Sequence, residues 1–153
     1  MAGILTLDIV TNYRKLSRRC RGVFLEVFPC DMLPRHLPRR RPLMMICNTD
    51  PSHKSGEHWI AIYFGIDGHA EYFDSFGREP ETVFLRFINR HSRSFVFNRE
   101  QLQSVISRFC GHYCVFYCLF KRLDYSMNSI VNCFSNDTAL NDTIVHNFVC
   151  ENL

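Results

Sequence analysis

The run Arg108-Phe109-Cys110-Gly111-His112-Tyr113-Cys114-Val115-Phe116-Tyr117-Cys118-Leu119-Phe120 decides the reading of this chain. Apolar residues fill it almost without interruption, so Gly111 to Arg122 is expected to form a central, buried helix with Cys110 at its first turn. A thiol there feels the positive end of the helix dipole and unpaired backbone N–H groups, and both favour the nucleophilic thiolate. Cys110 is therefore the candidate nucleophile. A His-Trp strand and a Tyr-Phe-Asp segment lie upstream, so His58, Asp74 and Cys110 occur in an order that can form a thiol-protease triad.

Working back from that helix, Leu43 to Cys47 and His58 to Phe64 read as buried strands rich in Ile, Met and aromatic residues. The turn Gly65-Ile66-Asp67-Gly68 joins the second to a third strand, Ala70 to Asp74. If Gly65, Ile66 and Asp67 close the turn, Phe64 faces Gly68 and His58 faces Asp74. Facing residues have Cβ atoms about 4.5–5.5 Å apart on one side of the sheet. A carboxylate at that distance fixes the imidazole tautomer and supports its positive charge. An even-numbered loop would spoil the pair by shifting the register by one.

The remaining elements give an α+β domain. Leu5, Ile9, Tyr13 and Leu16 recur at helical spacing and predict an N-terminal amphipathic helix. Pro34 to Pro42 reads as an extended surface loop, Glu81 to Arg90 as a short helix behind Pro80, and Ser94 to Asn98 as another strand. Near the end, Leu140, Ile144 and Phe148 are expected to share a helical face with Val145 and Val149, capped by Asn136 or Asp137.

With 153 residues, 46% of them hydrophobic and 14% aromatic, the chain fits one domain, residues 1–153, with a substantial core. No apolar run approaches the eighteen or so residues of a membrane span. The basic N-terminal region has no apolar segment of signal-peptide type behind it, so the protein is not expected to be secreted. Its eight cysteines are accordingly read as thiols in a reducing compartment. The net charge of +3 is unevenly spread: Arg14 to Arg41 holds nine basic residues against two acids, and Asp124 onward holds four acids with no Lys or Arg. Such a basic end, closing on Arg39, Arg40 and Arg41, can attract DNA phosphates or acidic protein surfaces, or form a solvated face.

The blocks Cys47-Asn48-Thr49, Gly56-Glu57-His58-Trp59-Ile60-Ala61, Tyr72-Phe73-Asp74-Ser75-Phe76-Gly77 and Cys110-Gly111-His112-Tyr113-Cys114, in this order, resemble the adenovirus protease (adenain) family. Similar proteases occur in Maverick/Polinton-type DNA transposons and related viruses. The resemblance runs from the N-terminal helix to about Phe120. It implies a papain-like α+β core with the permuted order His, Asp, Cys, shared with SUMO-deconjugating proteases, and a central, mostly antiparallel sheet packed against helices. By position, His58 is the general base, Asp74 its orienting acid and Gln103, seven residues before Cys110, the oxyanion donor. A neutral amide suits that role, since it stabilises developing charge without neutralising the thiolate beforehand. Gln101 is the competitor, and Trp59 is either a wall of the substrate site or an ordinary core aromatic.

Two departures limit what the family implies. The adenovirus cysteine that bonds a viral peptide cofactor corresponds to Ser92, so activation through that disulfide is not expected. The chain also ends sooner after its nucleophile, and the surface of the family's C-terminal extension is expected to be absent or reduced. No cofactor is required by the chemistry, with DNA or a viral peptide left as candidate activators. Cys110, Cys114 and Cys118 with His112 do not match a common zinc spacing, and their apolar neighbours make Cys114 and Cys118 core residues, so no metal is expected.

The resulting expectation is a monomeric cysteine endopeptidase cutting capsid or core precursors during maturation, in the virion and in the host nucleus or cytoplasm. The alternatives are a deconjugating isopeptidase for ubiquitin-like proteins and a catalytically silent DNA-binding or virion structural protein.

Overall fold

Residues 12–153 are described by the structure, a computed structural model. Leu5 and Ile9 of the expected first helix lie outside them. Its continuation, α1, covers residues 12–19 and seats Leu16 in the core with no exposure. Five strands follow in a single sheet whose spatial order is that of the sequence: β1 (Phe24–Pro29), β2 (Leu43–Asn48), β3 (Trp59–Phe64), β4 (His69–Phe73) and β5 (Ser94–Phe97). The three middle strands are antiparallel, and each edge strand is parallel to its neighbour. The sheet is therefore mixed, its antiparallel part confined to the centre.

Helices on both faces explain why β2 and β3 read as continuous apolar runs, since alternate side chains enter two different cores. Met44, Ile46, Trp59, Ala61 and Phe73 belong to the core that includes α3 (Cys110–Arg122). There the rings of Phe73 and Tyr117 stack at 4.6 Å. Leu43, Met45, Ile60, Ile62 and Tyr72 pack with Phe84, Phe87 and Ile88 of α2 (Thr82–His91). The chain ends in the short α4 (Met127–Val131) and the longer α5 (Thr138–Asn152).

Several sequence expectations are adjusted here. Strand β1 and helix α4 were not anticipated. Asp137 does cap α5, accepting from the Leu140 N–H at 3.0 Å. The buried side of α5, however, is Asn141, Asp142, Val145 and Val149, while Leu140 and Ile144 are exposed. Two buried polar residues displaced the apolar face that hydrophobicity alone suggested.

The β3–β4 register also differs from the expected one. Phe64 pairs with Ala70 and Ala61 with Phe73, which brings Asp74 opposite Ile60 and His58 opposite Phe76. The turn is Ile66, Asp67 and Gly68, because the Gly65 N–H bonds the His69 carbonyl at 2.8 Å and the Gly68 N–H bonds the Gly65 carbonyl at 3.2 Å. Gly68, with φ of 83°, supplies the left-handed residue that follows such a turn. The correction moves the pairing by two positions and so preserves the face. His58 and Asp74 become diagonal neighbours, still within side-chain reach.

Candidate active site

The site forms at one end of the sheet, where β2 and β4 finish and β3 begins. Cys110 opens α3, its side chain lying in the core that contains Trp59. The thiol is 4.0 Å from the Glu57 carbonyl, so the chain just before β3 crosses directly over the nucleophile. His58 is held through its backbone, its carbonyl accepting from the Thr49 N–H at 2.9 Å.

His58 Nε2 lies 2.8 Å from Asp74 Oδ1. Phe76 covers the ring, with centroids 5.1 Å apart. Burial of the imidazole opposes its charge. Hydrogen bonds with Asp74 and with Cys110, and the attraction of both acidic groups, outweigh that and lift its pKa to about 9. The ring is thus favoured as a cation, bonded to the Asp74 carboxylate and paired electrostatically with the Cys110 sulfur as a thiolate.

Asp74 is itself fixed from several directions. Its Oδ1 accepts from the Phe76 N–H at 2.8 Å. Buried Asn98 clamps its backbone, accepting from the Asp74 N–H at 2.9 Å and donating to its carbonyl at 2.6 Å.

Gln103 is 1% exposed and fully engaged. Its Oε1 accepts from the Ser75 hydroxyl at 2.6 Å, while Nε2 donates to the Ser107 carbonyl and hydroxyl at 3.1 and 3.0 Å. Gln101 is exposed, and its amide bonds the Gln103 carbonyl at 3.0 Å. The loop carrying Gln103 is tied to the helices behind it: the Leu102 carbonyl receives Asn141 Nδ2 at 3.0 Å and the Tyr113 hydroxyl at 3.1 Å. Tyr113 stands three residues beyond Cys110, so this tie links the loop to the nucleophile's own helix.

Trp59 is 9% exposed. With Asn48 and Gly56 it lines a cleft of about 170 Å³. The other two cysteines on the Cys110 stripe, Cys114 and Cys118, are fully buried, and burial pushes both thiols well above their ordinary pKa. All eight cysteines are free. Among the described residues no group of three His, Cys, Asp or Glu side chains converges as a metal site, and no helix is long and apolar enough to cross a membrane.

Arg39, Arg40 and Arg41 lie away from this site. They precede the first residue of β2, whose far end reaches the site about 20 Å away at about 3.3 Å per residue. Arg39 is exposed. Arg40 Nε donates to the Gly22 carbonyl at 2.9 Å, and Arg41 donates to the carbonyls of Pro38 and Arg40 with its guanidinium over the Phe64 ring. Two of the three guanidiniums are therefore already bonded to the protein's own backbone. Ser92 ends α2, its hydroxyl bonded to the Ile88 carbonyl at 2.7 Å.

No protein-family model matches the sequence, and no curated protein matches it. Solved structures do. A selenomethionine crystal structure of the ASFV pS273R protease matches with a TM-score of 0.54 and 24% identity, over 69% of this chain and 43% of that one. A second crystal structure of the same protease gives 0.53 and 22%, over 69% and 42%. The two proteins share a fold, that of a papain-like cysteine protease. This chain spans under half the length of the protease it matches.

Sequence reasoning named Cys110, His58, Asp74 and Gln103 but missed Ser75 and Ser107, which bond Gln103, Asn98, which bonds Asp74, and Phe76, which contacts Asp74 and His58. Ser75 and Phe76 lay inside the Tyr72 to Gly77 block and could have been suspected there. Ser107 and Asn98 sit in loops and strand ends whose contacts no periodicity encodes.

Proposed function

We propose that the chain is a cysteine peptidase hydrolysing peptide bonds through a thioester, with Cys110 as nucleophile, His58 as general base and acid, and Asp74 as the group that orients His58. The observation that carries this reading is the 2.8 Å contact between His58 Nε2 and Asp74 Oδ1, beside a thiol at the start of α3. The shared fold supports it.

With its proton already on His58, the Cys110 thiolate attacks the substrate carbonyl carbon and the carbonyl oxygen takes up negative charge. The Cys110 backbone N–H and the Gln103 amide stabilise that oxyanion, Gln103 Nε2 exchanging one of its two Ser107 contacts for it. As the C–N bond breaks, His58 gives its proton to the leaving amine and a thioester remains. Water then attacks the thioester with His58 accepting its proton, and Cys110 is released.

The substrates in this reading are capsid or core precursor proteins of a DNA virus or transposon, cut after small residues such as Gly. The test incubates wild-type protein and Cys110→Ala separately with capsid precursors encoded by the neighbouring genes and with a ubiquitin-like conjugate. Cleavage of the precursor by wild type alone is expected. Cleavage of the conjugate alone would move the assignment to the isopeptidase, and no cleavage of either with an unreactive Cys110 would leave a silent structural protein. Arg39, Arg40 and Arg41 are proposed as a separate DNA contact, remote from the chemistry.

A further inference from the structure

We infer that Ser75 is a positioning residue that sets the orientation of the Gln103 amide and couples the acid arm of the site to its oxyanion arm. The inference rests on the peptidase reading above. Ser75 directly follows Asp74 and is completely buried. Its hydroxyl donates to Gln103 Oε1 at 2.6 Å. Its backbone carbonyl accepts from the Leu102 and Gln103 N–H groups at 2.8 and 3.1 Å. One residue thus anchors both the main chain and the side chain of the oxyanion loop to the segment that supports His58.

The contacts choose between the two faces of the amide. A primary amide presents an acceptor on one side and two donors on the other, and only the donor side can stabilise an oxyanion. The Ser107 carbonyl can only accept, so Nε2 must face it. Ser75 completes the choice by donating to the opposite atom. With Gln103 buried, no solvent replaces that donor. Without the hydroxyl, Oε1 is left unsatisfied and only the Ser107 contacts hold the amide, so its donor face loses its fixed aim at the developing charge.

The test is a double-mutant cycle of Ser75→Ala and Gln103→Ala, read by kcat and KM on a fluorogenic peptidyl-glycyl coumarin amide and by iodoacetamide labelling of Cys110. Ser75→Ala alone should lower kcat about tenfold with KM nearly unchanged. In the Gln103→Ala background it should change kcat by less than about twofold, since no amide remains to orient. Labelling of Cys110 should keep its wild-type rate in every variant, because alkylation develops no oxyanion. Should Ser75→Ala fail to fold, Ser75→Cys, close in size but with only a weak S–H donor, carries the same cycle. Equal losses in both backgrounds, or no loss in either, would overturn the inference while leaving the triad intact. A Gln103→Ala enzyme with full kcat would remove the oxyanion role and the Ser75 role together.

Discussion

Replacing Asp74 by Asn should abolish most of a pH dependence of stability that His58 confers. The imidazole titrates near 9 in the folded chain against 6.5 for an unperturbed histidine, so the folded state binds that proton more tightly. The associated stabilisation is complete below about pH 6.5 and is lost as pH rises through about 9. Its size follows from the gap in proton affinity, at about 1.4 kcal/mol per tenfold, and comes to about 3 kcal/mol. The substituted amide would keep a dipole near the ring but no charge, leaving burial to push the imidazole down against Cys110 alone. Urea unfolding at pH 6.5 and 9 should therefore show wild type losing at least about 1.5 kcal/mol more than Asp74→Asn over that interval. Buried thiols such as Cys20, pushed up to about 11, ionise only on unfolding at alkaline pH. They cancel in the difference between variants. Equal losses in the two proteins would show that Asp74 does not support a charged His58, and the orienting role would fall with it.

Cys114→Ala and Cys118→Ala should each lower unfolding stability by about 1–3 kcal/mol by leaving small cavities under α3, with hydrolysis retained when measured well below the melting temperature. Gln103→Ala should lower kcat by about 10²–10³ with little change in KM, whereas Gln101→Ala, altering an exposed side chain, should leave both at wild-type values in the same assay. Replacing Arg39, Arg40 and Arg41 by Ala should flatten the log–log salt dependence of DNA binding by about 0.9 for each phosphate that the protein ceases to neutralise. An unchanged slope would leave Arg40 and Arg41 as loop fasteners only.

The sequence revealed what periodicity and local chemistry encode. Strands β2, β3 and β4, helix α3 and the Asp137 cap were legible because apolar runs, turn residues and capping side chains act within a few positions of themselves. The same-face relation of His58 and Asp74 survived an error in the turn, since a two-position slip leaves the side-chain alternation unchanged. Strand β1 escaped notice because Glu26, Pro29 and an edge position weaken its alternation. The buried face of α5 was misread because Asn141 and Asp142 are buried for their bonds to Leu102, Tyr113 and Ser104, partners that only the folded chain brings together. The Ser75–Gln103–Ser107 network is invisible to spacing for the same reason.

The most direct test of the central claim, that Cys110 is a thiol activated by His58, is the rate of iodoacetamide labelling of each cysteine at pH 6, resolved by peptide mass spectrometry. Cys133 provides the comparison, being exposed, with its thiol 3.3 Å from the Ser129 carbonyl. The account predicts that Cys110, although 5% exposed, labels at least about tenfold faster than Cys133, and that His58→Ala removes the advantage. Labelling of Cys133 ahead of Cys110 in the wild-type protein, or an advantage of Cys110 that survives His58→Ala, would contradict it.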